Sequence, residues 1–133
     1  MSITAGVCNS FRSELAQGIH NLASDTIKVA LYTSAASLDP TATVYTSSHE
    51  VSGTGYTAGG VSVGHGTVSG TGGTITVTLA DPTWTSGSFT ARGALVYNSS
   101  KSNRAIAVFD FGQDLVVSGN LQLAWNPPFL SLS

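Results

Sequence analysis

The chain has 133 residues, a formal net charge of −2, 9% charged and 41% hydrophobic side chains. That length supports one domain, 1–133, around one core; the hydrophobic content argues against disorder, and five scattered cations give no basic footprint for nucleic acid. No apolar run approaches the roughly 20 residues of a membrane helix, and a charge content far below the roughly 25% of an average soluble chain suits a surface covered in an assembly.

The opening MSITAGVCNS has neither a basic region nor a continuous apolar stretch, so no signal peptide is expected and synthesis is expected in the cytoplasm. The lone Cys8 leaves no intramolecular disulfide. Phe11, Leu15, Ile19 and Leu22 recur at helical spacing and predict a short N-terminal α-helix with these residues on its inner face. Asn9 or Ser10 would cap it, and Gly18 inside it would cost about 1 kcal/mol relative to Ala.

From Thr26 the period changes to two: Ile27, Val29 and Leu31 alternate with Lys28, Ala30 and Tyr32, which predicts a strand. Asp39-Pro40 marks a reversal, residues 43–51 read as a weaker strand, and the glycine-rich 53–60 as a bulged turn. Val61, Val63 and Val68 flank a further glycine group. Residues 74–79 place Ile75, Val77 and Leu79 on one face and threonines on the other, a half-buried strand. Asp81-Pro82 ends it, and Trp84 falls near the following turn. The strongest strands are 89–97 and 104–111, joined by the polar loop 98–103 as a hairpin. Leu121, Leu123 and Trp125 alternate before Pro127-Pro128, and 129–132 reads as a short last strand. About seven strands with regular turns predict a mainly all-β fold, an antiparallel β-sandwich or jelly-roll-like domain with one short N-terminal α-helix.

Motifs that could carry chemistry each meet a simpler explanation. Gly60-Val61-Ser62-Val63-Gly64 matches the G-x-S-x-G nucleophile elbow, but that motif needs a strand turning into a helix. The glycine-rich residues that follow Ser62 form none, so chance in a Gly/Ser/Val-rich stretch accounts for it. His20, His49 and His65 lack a second ligand at metal-site spacing, and His65 between glycines reads as an exposed turn residue. Asp110 and Asp114 are the closest carboxylates outside the helix; Asp114 reads as a turn residue where a strand leaves the sheet, a poor match to a glycosidase pair. Trp84, Trp125, Tyr45 and Tyr56 offer aromatic surfaces of the kind that stack on sugars, although such residues more often build core. Asn98-Ser99-Ser100 matches a glycosylation acceptor without a secretory context. The expected catalytic, cofactor and metal sets are therefore all empty, and the chain is not expected to be an enzyme.

Five segments in order are similar to small virion structural proteins of tailed bacteriophages: NSFRSELAQGIH…DTIKVALYTSAASLDP, EVSGTGYTAGG, ADPTW, TARGALVYNSS and RAIAVFDFG. The matches span most of the chain, the strongest being 53–60, 90–97 and 109–112. The end departs from the longer apolar tail usual in the family. The resemblance is to head-associated proteins that include capsid cement or decoration proteins. It implies a virion location on the capsid surface, the major capsid protein as partner, a homo-oligomer (trimer or dimer), and stabilisation of the shell by bridging capsomers. Nucleic acid and membrane are not implied partners. A tail, neck or fibre-associated role and a glycan-binding module using Trp84, Trp125 or Tyr56 are the alternatives.

Overall fold

The two strongest apolar segments pair with each other into one long antiparallel hairpin, β6 (Thr83–Asn98) and β7 (Arg104–Gln122), around which the rest of the fold is assembled. The computed structural model describes residues 3–125 and 129–132. Before the hairpin come β1 (Gly6–Val7), the helix α1 (Asn9–Ala16), β2 (Ile27–Tyr32), β3 (Val61–Gly64), β4 (Thr67–Thr71) and β5 (Thr74–Thr78); β8 (Leu130–Leu132) follows it. A five-stranded sheet runs β1-β7-β6-β2-β3 and a three-stranded sheet β4-β5-β8. Every strand pairing is antiparallel, so the chain has the expected mainly-β, sandwich-like architecture with one short helix.

The hairpin changes character halfway. Near its turn, Leu95, Val96 and Tyr97 pair with Val108, Ala107 and Ala105, all buried together with Ala94 and Ile106, and β2 adds Val29 to Tyr32 beside them. A run buried on both faces selects continuous apolar sequence rather than alternation. Residues above and below that layer include Phe11 of α1 and Tyr45, which stacks on Tyr97 with centroids 4.8 Å apart. Beyond Gly93 the hairpin outruns β2. There it becomes a two-stranded ribbon with Phe89, Ala91 and Val117 turned inward and Thr90, Val116 and Ser118 outward.

Six expectations change. The helix stops at Ala16, so Ile19 and Leu22 lie beyond it. Gly18 is not an interior cost but the stop itself: with φ +77° its N–H donates to Leu15 C=O at 3.1 Å, and Ile19 N–H donates to Glu14 C=O at 3.0 Å. That pair of bonds is the Schellman arrangement, which favours glycine in the left-handed position. The N-terminal cap is Cys8, without a side-chain cap bond, rather than Asn9 or Ser10. Residues 43–51 make only single bridges, Val44 to Arg104 and Glu50 to Tyr32, so no strand forms there. Trp84 sits within β6 and is buried, not in a turn. Asp114 is an exposed residue of strand β7 and not a turn, but it lies in a bulge: residues 111–114 leave the ladder with β6 between the Asp110 and Leu115 pairs. The Pro127-Pro128 break lies outside the described residues.

Candidate functional surface

The chain carries only five cations and seven anions, and the fold pairs half of them with each other. A polar chain links α1 to the hairpin turn. Arg104 donates to Glu14 Oε2 at 2.7 Å, and His20 Nε2 lies 2.9 Å from Glu14 Oε1. Asn98 Nδ2 lies 3.0 Å from His20 Nδ1 and 2.8 Å from Asp25 Oδ2, and Lys101 donates to both Asp25 oxygens at 2.8 and 2.9 Å. Asn98 Oδ1 accepts from Ser100 N–H, which fixes the amide so that its NH2 faces the imidazole. His20 Nδ1 is then an acceptor and its proton sits on Nε2, donating to Glu14. Burial raises the pKa of Asp25, but hydrogen bonds from Lys101, the Asn21 N–H and Asn98 outweigh it and leave the carboxyl below its ordinary value. Glu14 behaves alike: burial pushes up, while bonds with His20 and Arg104 bring the net value down.

A second network organises the 43–60 segment. The hydroxyls of Tyr45 and Tyr56 donate to the two oxygens of Glu50 at 2.5 Å each, and Gly59 N–H donates to Oε2 at 2.8 Å. Tyr56 also accepts from Leu31 N–H at 2.9 Å, and Tyr97 donates to Gly59 C=O at 2.6 Å. Burial, and then the Glu50 contact, raise both Tyr45 and Tyr56 well above the usual phenol range, so they stay protonated donors. This cluster clamps an irregular segment onto β2 and β6. Its groups are satisfied by one another.

The candidate site residues are dispersed. Ser62 is exposed on β3, and its hydroxyl accepts from Gly64 N–H at 3.1 Å; strand β4 follows instead of a helix, so the elbow geometry is absent. His49 is exposed, and the His65 ring lies 3.0 Å from Gly66 C=O. Among the described residues no three His, Cys, Asp or Glu side chains converge as a metal site. Asp110 pairs with Arg92 at 3.1 Å and accepts from Gly112 N–H, while Asp114 is exposed on β7 and pairs with no cation among the described residues. Asn98 is enclosed and closed to glycosylation. Of the four aromatics, Tyr45 and Tyr56 hold Glu50, and Trp84 is 2% exposed with its Nε1 lacking a partner. Trp125 lines a groove of about 300 Å³ with Phe111 and Asp110.

The feature that residue types did not reveal is the state of the small sheet. Cross-strand register places Val68, Ile75, Val77 and Leu130 on one face and Thr67, Ser69, Thr76, Thr78 and Ser131 on the other. The apolar face turns toward α1 and the following loop but is not closed against them. Val68 and Ile75 remain 48% and 43% exposed. Grooves of about 270, 610 and 370 Å³ all include Leu130 in their walls, and their other walls come from β1, β7, α1 and residues 20–23. The sequence does carry the alternation that makes this face apolar, but nothing in it says that the face stays open.

The described chain thus defines a mainly-β, sandwich-like protein with clamped internal charges and an incompletely covered apolar face. Compared with family models, with curated proteins and with solved structures, it gives no match.

Proposed function

We propose that the chain is a phage capsid cement or decoration protein, bound to the outer surface of the head and bridging capsomers. The observation that carries this reading is the open apolar face around Val68, Ile75 and Leu130 on a chain with few free surface charges. An exposed apolar patch with a polar back is the form of a surface that is covered in an assembly. The polar back is threonine and serine, which hydrogen-bond to water without setting a charge against a shell. Many modest contacts, repeated by symmetry, stabilise a shell without chemistry.

Electron cryo-microscopy of the virion whose genome encodes the chain tests the proposal. Copies at capsomer junctions with the small sheet turned onto the shell are expected, together with loss of head attachment in Val68→Asp and Ile75→Asp. Density confined to the tail or neck, or none on the shell, refutes the capsid reading. The glycan-binding alternative keeps one supporting observation, the groove that brings Trp125, Phe111 and Asp110 together. It requires saturable sugar binding that disappears in Trp125→Ala.

A further inference from the structure

We infer that two copies of this chain pair edge to edge through β7, antiparallel, about a twofold axis at Val116. The observation is a free strand edge. At the level of residues 115–119, β7 has β6 on one side and, among the described residues, no strand on the other, because β1 reaches only Ala107 and Val108. The opposite edge of the ribbon is already occupied: Ser88 N–H donates to Thr54 C=O at 2.9 Å. The pairing of 115–119 with 87–91 is regular, and the left-handed Gly112 and Gly119 bound the stretch rather than interrupt it.

The side chains fit a second copy. Natural edges are protected by lysine, proline or an interrupting bulge; the bulge at residues 111–114 ends this edge, and the regular residues 115–118, LVVS, contain none of these. Val116 is 79% exposed, the most exposed large apolar side chain among the described residues. With the axis at Val116, each Val116 lies directly opposite its copy on the outer face, where opposed side chains of an antiparallel pair touch. Leu115 then faces Val117 of the second copy on the inner face, and the apolar layer of one ribbon continues into the next. Asp114, the one charge beside the stretch, lies in the bulge that ends it, at the level of Ser118 of the second copy rather than of another Asp114. The register therefore satisfies hydrophobic matching and avoids like-charge opposition together, and it supplies inter-chain backbone hydrogen bonds centred on the Val116 pair. Antiparallel self-pairing also closes: the same edge serves both copies, so no fibre propagates. This inference rests on the edge alone and is independent of attachment to a shell.

Sedimentation equilibrium of the purified full chain at micromolar concentration should show a dimer. Val116→Lys puts two ammonium groups opposite each other at the axis and should weaken the dimer at least about a hundredfold, with an unchanged circular dichroism spectrum because Val116 contacts little within its own chain. Register is read by oxidative cross-linking with copper phenanthroline. Val116→Cys should cross-link, whereas Ser118→Cys alone should not. Cys8 is fully buried and does not compete. A monomeric wild-type chain overturns the inference, as does a dimer that survives Val116→Lys and fails to cross-link through Val116→Cys.

Discussion

Asn98→Ala probes the polar chain at its centre. Asn98 is 0% exposed and holds three partners: His20 at 3.0 Å, Asp25 at 2.8 Å and the Ser100 N–H at 3.0 Å. Truncation removes one hydrogen bond to a carboxylate that keeps Lys101 and the Asn21 N–H, a loss of about 1.5–3 kcal/mol. It leaves His20 Nδ1 as a buried acceptor without a donor, about 1–3 kcal/mol more. The Ser100 N–H lies in a partly exposed turn and finds water. The net expectation is about 3–5 kcal/mol, or a fall in melting temperature of about 10–20 °C for a domain of this size. Urea unfolding measures it, with the midpoint shifted and the slope unchanged. His20→Leu in the same background should recover part of the loss, since the stranded acceptor is then absent. A loss below about 1 kcal/mol, or strict additivity of the two changes, would show that the chain of bonds does not hold α1 to the hairpin.

Three further outcomes follow from named contacts. Glu14 and Asp25 have pKa values below their ordinary 4.5 and 3.8; the unfolded chain therefore binds more protons in acid, and the stability they contribute, present above those ordinary values, is lost as pH falls through the depressed ones. Urea midpoints should drop on that acid limb and drop less steeply in Asp25→Asn; midpoints rising toward acid would reverse the sign and refute it. Gly60→Ala should cost more than about 3 kcal/mol, because φ is +81° and the new Cβ would lie 1.8 Å from Val29 C=O, whereas Gly72→Ala, at φ +59° with open space, should cost about 1–2 kcal/mol for the left-handed backbone alone; equal costs in thermal melts would contradict the clamp on β2. Cys8 is pushed up to about 11 by burial and then by the charges of Asp39 and Glu14, so a thiol reagent at neutral pH should react only at the rate of unfolding; rapid labelling of the native chain would place the sulfur elsewhere.

Fold class was legible because local signals agreed with one another: continuous apolar runs at 94–97 and 105–108, alternation at 74–78, and a polar loop between the longest strands. Failures came where tertiary contacts override a local pattern. Leu22 fits the helical period of Phe11 and Leu15, yet Gly18 turns the chain and brings Leu22 into the core by another route. Residues 43–51 have strand-like composition, but Tyr45 and Glu50 are committed to a side-chain network with Tyr56, and the backbone follows that geometry rather than a ladder. Trp84 looked like a surface aromatic beside a turn; the β6–β7 register turns it inward. No spacing rule couples Glu14, His20, Asp25 and Asn98, because their meeting depends on where the hairpin turn lands against α1.

The scarcity of charge and the two internal networks belong to one design. Arg104, Lys101 and Arg92 pair with Glu14, Asp25 and Asp110, and Glu50 is held by two phenols. Arg12, Lys28, Asp39, Asp81 and Asp114 are left to solvate the rest, and Asp39 is already engaged by Thr41. A free monomer with that surface has little electrostatic repulsion to keep copies apart, most of all near its isoelectric point of about 5.8. Two apolar exposures, the paired Val68–Ile75 face and Val116, are then the places where contact begins. They lie on different elements, one on the small sheet and one on the ribbon edge, so a copy can meet a second copy through β7 while its small sheet stays open. Charge placed at Val116 should therefore abolish self-pairing without touching the face around Leu130, and charge placed at Val68 should do the reverse. If both substitutions removed the same interaction, the separation of the two surfaces argued from the fold would be wrong.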